Sequence, residues 1–93
     1  MRVSWDSRKS TRNLQERAFD YAFATLIFDG PTLEREDSRR DYGEHRMVAI
    51  GIAQGIPLTV VYTDRAGAVR RIISARVSSR HERKAYFAAI SHR

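Results

Sequence analysis

The chain has 93 residues, no cysteine and a formal net charge of +6 at pH 7. This length predicts one small domain over residues 1–93, and the lack of cysteine excludes disulfides and thiolate metal sites. No apolar run is long enough to span a membrane and the first residues show no signal-peptide pattern, so we expect a cytoplasmic protein.

The first third of the chain predicts a short strand followed by two helices. Arg2–Trp5 fits a strand, and Asp6 then offers an N-cap for a polar helix over about Ser7–Arg17. Asp20 is predicted to cap a second helix over Tyr21–Asp29, where aromatic and aliphatic side chains supply bulk for a core. The Gly-Pro pair that follows Asp29 ends this helix.

The middle of the chain predicts a series of strands. Thr32–Glu36 is a candidate strand, although the mixed charges of Glu34–Glu44 are also typical of an exposed loop. Arg46–Ile52, Leu58–Thr63 and Val69–Ala75 are rich in valine and isoleucine and are separated by short turns that contain glycine. Successive strands with such short connections must pair as an antiparallel meander.

A final helix begins at a capping box and completes the predicted fold. Ser79 is followed three residues later by Glu82, and the helix continues to about Ile90. The sequence therefore predicts an α+β fold with two N-terminal helices and one C-terminal helix. Its antiparallel sheet has a meander of three to four strands plus a short N-terminal strand. We expect the helices to cover one face of this sheet and leave the other open.

The positive charge is concentrated at the C-terminal end of the chain. Residues 65–93 carry eight basic side chains and a single acid, whereas the basic and acidic groups of residues 1–64 nearly balance. Guanidinium groups form bidentate hydrogen bonds to phosphate, and such an asymmetry is typical of a nucleic-acid surface. The alternative interpretation is a solvated basic helix that follows a core strand.

Several motifs occur in an order that resembles one protein family. They are Trp5-Asp6 with Lys9 and Asn13, Phe28-Asp29, Tyr42-Gly43-Glu44 with Arg46, Ile50-Gly51, and Arg71–Arg76 followed by Glu82-Arg83 and Tyr86. Together these motifs resemble the BrnT toxins, and the resemblance covers nearly the whole chain. BrnT proteins are the toxin half of bacterial type II toxin–antitoxin pairs.

The resemblance implies a fold, an activity and a partner. It implies a RelE/ParE-like fold and a ribonuclease that stops translation. It also implies neutralisation by a BrnA-like antitoxin in a hetero-oligomer, such as a heterotetramer. Two other functions stay open: a weak or inactive toxin-like module that binds antitoxin and regulates its operon, and a ParE-like topoisomerase poison. We expect no cofactor and no metal site, because no His/Asp spacing suits a metal.

One tripeptide departs from the family pattern. Where the family usually has Lys-His-Gly, this chain has Glu16-Arg17-Ala18. The change inverts one charge and removes the side chain best suited to proton transfer near neutral pH. If the tripeptide takes part in catalysis, this chain is expected to cleave RNA slowly, to have an altered specificity or to be inactive.

Ten residues are predicted to form the site. The catalytic candidates are Arg71, Arg76, Arg80, Glu82 and Tyr86, and the candidates for RNA binding are Lys9, Arg17, Arg70, Arg83 and Lys84. Metal-free RNA cleavage needs cations on the phosphorane and a proton-transfer group. Structural roles stay open for three of them: a core-side ion pair for Arg71, the capping box for Glu82 and core packing for Tyr86.

Overall fold

The computed structural model describes residues 1–91, which form five strands and three helices. The strands are β1 (Arg2–Trp5), β2 (Leu33–Glu36), β3 (Met47–Ala53), β4 (Ile56–Arg65) and β5 (Val69–Val77). The helices are α1 (Ser7–Arg17), α2 (Tyr21–Ala24), which a 3-10 segment continues over Thr25–Asp29, and α3 (Arg80–Ser91). Arg93, which contributes to the C-terminal charge, lies outside the described residues. None of the described helices is long and apolar enough to cross a membrane.

The sheet is mixed, so the prediction of a purely antiparallel sheet was wrong. Its order is β1-β5-β4-β3-β2. The meander from β2 to β5 is antiparallel as predicted, but β1 pairs in parallel with β5, with Trp5 opposite Ile72. Short turns force neighbouring strands to be antiparallel, whereas most of the chain separates β1 from β5 and leaves their relative direction unrestricted.

Helices lie on both faces of the sheet, which corrects the prediction of a single helical layer. On one face α1, α2 and the 3-10 segment enclose the main core, which includes Ile27, Ala49 and Leu58. On the opposite face α3 packs against β2 and β3, beside Val48 and Ile50. Because β3 buries apolar side chains on both of its faces, each face needs a cover.

Polar contacts fix the corner between α1 and α2. The Asp6 carboxylate accepts hydrogen bonds from the backbone N–H groups of Arg8 and Lys9, which begins α1. The buried Asn13 amide donates to the carbonyl of Phe19 at 2.9 Å. The buried Ser10 hydroxyl accepts from the Tyr21 N–H at 3.0 Å. These bonds hold α1, a helix with few apolar residues, against the start of α2.

Ala18 ends α1 in a left-handed conformation that favours glycine. Its φ is 67°, and its N–H donates to the Leu14 carbonyl. We expect Ala18→Gly to raise the free energy of unfolding by about 0.5–1 kcal/mol, because the Cβ strain disappears. Urea denaturation measures this change. The control Ala22→Gly, at an exposed position within α2, should instead destabilise the protein, by roughly 0.5–1 kcal/mol. Equal effects of the two substitutions would contradict the assignment of strain to Ala18.

Candidate nucleic-acid interface

β1 covers only the first part of the β5 edge, so side chains can reach the backbone of β5 beyond the end of β1. β1 ends at Trp5, opposite Ile72. On the other side of β5 the register with β4 shifts, so that Ile73 is an extra residue in a β-bulge. The Ile73 carbonyl accepts hydrogen bonds from the Lys9 ammonium and, at 3.3 Å, from the Tyr21 hydroxyl. Side chains from α1 and α2 therefore meet the sheet at this bulge.

A shallow cleft of about 210 Å³ lies beside this point. We call it the basic cleft, and its lining residues are Lys9, Arg12, Asn13, Glu16, Arg17 and Tyr21. All except Tyr21 lie on α1, where spacings of three and four residues place side chains on one helix face. Three cations and one carboxylate give the cleft a net positive charge, which suits an anionic ligand such as a phosphate.

Burial shifts the pKa values of the two groups that contact Ile73. Partial burial lowers the pKa of Lys9 below its ordinary value of 10.5; the nearby Asp6 opposes this shift, and Arg46 and Arg71 add to it. Burial raises the pKa of the Tyr21 phenol, against a smaller opposite effect of Arg17. Tyr21 therefore stays protonated, and the ammonium of Lys9 gives up its proton more readily than an exposed lysine would.

Arg71 faces away from the main core, so the predicted core-side ion pair was wrong for this residue. It lies opposite Ser4 and Thr63 in the sheet and forms no ion pair within residues 1–91. Its charge nevertheless influences the pKa values of both Lys9 and Asp6. Arg71 is therefore a cation near the basic cleft that no carboxylate of residues 1–91 neutralises directly.

The core-side ion pair belongs to Arg70. Its guanidinium donates to both carboxylate oxygens of Asp64, at 2.8 and 3.0 Å, and lies over the rings of Tyr62 and Phe28. The phase of the strand was ambiguous because two isoleucines follow each other at Ile72 and Ile73. Only the register shows that Ile72 is the core residue, which places Arg70 on the same face.

Arg76 and Glu82 join the end of β5 to the start of α3. Two hydrogen bonds of 2.6 and 2.8 Å link the guanidinium to the carboxylate. Glu82 also accepts from the Ser79 N–H, and the Ser79 hydroxyl accepts from the Glu82 N–H, which confirms the capping box. The bonds from Arg76 are the main cause that lowers the pKa of Glu82 to about 2. Such a carboxylate is a weak base at neutral pH.

The depressed pKa of Glu82 predicts that its stabilising effect depends on pH. Its contribution should be fully present above about pH 4.5, the ordinary pKa, and should disappear as the pH falls towards 2. At pH 7 we expect Glu82→Gln to lower the free energy of unfolding by about 1 kcal/mol. Urea denaturation between pH 7 and pH 2.5 should show this difference shrinking. The control Glu16→Gln removes an exposed carboxylate without an ion pair among the described residues, and a similar pH-dependent loss there would contradict the role of Glu82.

Of the other predicted residues of α3, two have exposed side chains and two have side chains that donate hydrogen bonds. Arg80 and Lys84 are exposed, one helical turn apart. Arg83 donates to the Ser78 carbonyl at 2.9 Å. Tyr86 is buried, and its hydroxyl donates to the Pro31 carbonyl at 2.8 Å. Within residues 1–91 no hydrogen bond or ion pair holds the Arg80 or Lys84 side chain, so both can reach a phosphate, whereas a reaction at Tyr86 would require its hydroxyl to leave Pro31.

The structure thus brings together only part of the predicted site. Lys9 and Arg17 line the basic cleft and Arg71 lies near it, whereas Arg70 points to the core face of the sheet and is paired with Asp64. The catalytic roles of Arg76, Arg80, Glu82 and Tyr86 and the RNA contacts of Arg83 and Lys84 stay predictions.

Sequence reasoning missed three residues near Lys9: Arg12, which lines the basic cleft, Tyr21 and Arg46. It treated Tyr21 as core bulk, and the ring is indeed buried, but the hydroxyl reaches the β5 edge. Arg46 lies over the Tyr42 ring at 4.0 Å and also lowers the pKa of Lys9. The position of Tyr21 directly after the cap Asp20 was visible in the sequence, but the β5 edge beside it was not.

Comparison with known proteins identifies the family. A family model described as "Ribonuclease toxin, BrnT, of type II toxin-antitoxin system" matches residues 5–82. The chain belongs to the BrnT family. The matched span contains the basic cleft, Arg71 and the Arg76–Glu82 pair of this BrnT protein. As members of a type II toxin–antitoxin system, BrnT ribonuclease toxins have an antitoxin partner.

A solved structure agrees with the fold. The 1.1 Å crystal structure of the Brucella abortus ribonuclease toxin, BrnT, superposes with a TM-score of 0.62 and 22% sequence identity. The match covers 86% of this chain and 99% of the Brucella chain. At this identity the likeness is evidence for the fold alone. No match is found among curated proteins.

Proposed function

We propose that this BrnT protein is a ribonuclease that cuts RNA without a metal ion, stops translation and is neutralised by a BrnA-type antitoxin. One observation carries the proposal: the span that matches the BrnT family contains a positively charged cleft at the β5 bulge. Lys9 and Arg17 line this cleft, and Arg71 is close enough to shift the pKa of Lys9.

The proposed reaction is attack of a ribose 2′-oxygen on the adjacent phosphorus. The 2′-hydroxyl loses its proton to a solvent water as the new P–O bond forms, and the 5′-oxygen takes up a proton as its bond to phosphorus breaks. Arg17 and Arg71 stabilise the charge on the phosphorane, as guanidinium groups do for transferring phosphoryl groups. Lys9 supplies the proton to the 5′-oxygen, which its lowered pKa favours.

A cleavage assay tests this proposal. The purified protein is incubated with single-stranded RNA in EDTA, and the product ends are mapped. We expect a 2′,3′-cyclic phosphate and a 5′-hydroxyl, together with loss of protein synthesis in a cell-free translation extract. Intact RNA in the presence of folded toxin would overturn the proposal. Loss of cleavage in EDTA, with recovery on addition of Mg²⁺, would overturn its metal-independent part.

One observation favours a second function, that of an antitoxin-binding module with weak catalytic activity. Glu16 lies in the basic cleft, where its carboxylate repels a phosphate. In such a module the antitoxin would still bind, because association is distributed over a surface and does not depend on one proton-transfer group. Antitoxin binding by a folded toxin that leaves RNA intact would support this second function.

A further inference from the structure

An apolar groove lies at the end of the sheet that is near the β3–β4 turn. Five large apolar side chains are exposed within residues 1–91, and three of them line this one groove: Leu14 at 49%, Ile56 at 44% and Val77 at 50%. The volume of the groove is about 400 Å³. Single exposed apolar residues are common, but a contiguous group is typical of an interaction surface.

The groove exists because α1 and α2 do not cover the whole core face of the sheet. Its floor contains Leu58 and Phe19, which are both buried. Val77 lies opposite Leu58 at the last pair of the β4–β5 ladder, and Leu14 approaches from α1. The apolar side chains of the floor and rim are therefore held on regular secondary structure, so the groove is formed before a partner binds.

The charged residues beside the groove indicate which kind of partner can bind in it. Arg17 and Asp20 are its charged lining residues. The Asp20 carboxylate accepts from the Phe23 N–H at 2.9 Å and so already serves as the N-cap of α2. Among residues 1–91, the Arg17 guanidinium makes only a long hydrogen bond of 3.4 Å to Asn13. Arg17 is therefore available to a carboxylate, whereas the net charge of +6 disfavours a second copy of this chain.

Arg17 also connects the groove to the basic cleft, since it lines both. An occupant of the groove that pairs with Arg17 would remove this cation from the cleft. Binding in the groove would therefore compete with binding of an RNA phosphate in the cleft, although the apolar side chains of the groove floor cannot bind a phosphate themselves.

We propose that a segment of the antitoxin inserts apolar side chains into this groove and places a carboxylate on Arg17. The inference rests on the proposed function for the toxin–antitoxin pairing, and it adds the site and the chemistry of the contact. Apolar side chains of the segment bury Leu14, Ile56 and Val77, which supplies the affinity. The carboxylate on Arg17 supplies the neutralisation, because it displaces the phosphate from the adjoining cleft.

The test measures antitoxin affinity and RNA cleavage on the same variants. The probe is the antitoxin encoded by the reading frame that adjoins the toxin gene, titrated by calorimetry. We expect Leu14→Asp and Ile56→Asp each to raise the dissociation constant by about 30-fold or more, as for central interface residues. Both variants should cleave RNA like wild type without antitoxin but resist neutralisation. Phe87→Asp, which changes an equally exposed residue outside the groove, should leave the affinity unchanged.

Several outcomes would overturn the groove as the antitoxin site. Unchanged affinity of folded Leu14→Asp would do so, as would an equal loss in Phe87→Asp. So would groove variants that abolish self-association of the toxin while antitoxin affinity persists. If a variant fails to fold, hydrogen exchange of the wild-type complex decides the question: protection must appear at residues 14–20, 56, 58 and 77. A toxin that binds antitoxin in the groove but leaves RNA intact would contradict the ribonuclease and not the groove.

Discussion

Replacing Lys9 by methionine should lower the rate of RNA cleavage by about 100-fold or more, as for removal of a general acid. Methionine keeps an unbranched stem of similar length but removes the proton and the charge. The measurement is the single-turnover cleavage rate of a labelled single-stranded RNA, with melting temperatures to establish that each variant is folded. The neighbouring Arg8→Met is the matched control, because it removes an exposed cation outside the basic cleft.

The pH dependence of the same reaction separates proton transfer from charge. Wild-type cleavage should fall as the pH rises through the pKa of Lys9, which lies below its ordinary value of 10.5. Lys9→Arg keeps the charge but holds its proton throughout the accessible range, so this alkaline decline should disappear and the rate should stay low. If Lys9→Met cleaves RNA at a rate within about threefold of wild type, the loss is far smaller than removal of a general acid causes. That result would exclude this role for Lys9.

Restoring the family tripeptide should have the opposite effect. In Glu16→Lys/Arg17→His the cleft loses a carboxylate and gains an imidazole, which titrates near neutral pH, while the new lysine at position 16 supplies the cation that the loss of Arg17 removes. We expect the cleavage rate to rise by about 100-fold, the typical effect of one positioned proton-transfer group. The rate is measured on the same RNA at saturating toxin concentration.

A second double substitution identifies the cause of any gain. Glu16→Lys/Arg17→Lys changes the charge at Glu16 in the same way but adds no imidazole. If both variants accelerate cleavage equally, the gain comes from electrostatics, whereas a gain confined to the histidine variant indicates proton transfer. Wild-type rates in both folded variants would show that the tripeptide takes no part in catalysis, and the proposed chemistry would then depend on Lys9 and Arg71.

The comparison of sequence and structure shows which signals are local. The caps at Asp6 and Asp20 and the capping box of Ser79 and Glu82 were all predicted correctly. Each involves atoms that lie two or three residues apart in the chain, so the residue types alone determine the geometry. The family motifs also follow the order of the chain, which explains why the family could be identified before any contact was known.

The loop before β3 shows where local reasoning fails. The sequence left open a strand over Thr32–Glu36 and an exposed loop over Glu34–Glu44. β2 confirms the strand over Leu33–Glu36, and most of the segment is exposed, but the Asp37 side chain is buried. Arg39 donates to both oxygens of this carboxylate and lowers the pKa of Asp37 to about 2. Charge alone does not reveal burial, because a bidentate partner compensates the loss of solvent.

The sequence by itself determined the helices, the antiparallel meander and the excess of cations in the last third of the chain. Only the tertiary structure decided that β1 is parallel to β5, that α3 covers the second face, and which arginines remain available to a ligand. Arg70 and Arg71 are neighbours with the same side chain, yet Arg70 is paired with Asp64 and Arg71 forms no ion pair among the described residues. The physical reason is that strand register and packing order depend on contacts between distant segments, and a shift of one residue moves a side chain to the other face of the sheet.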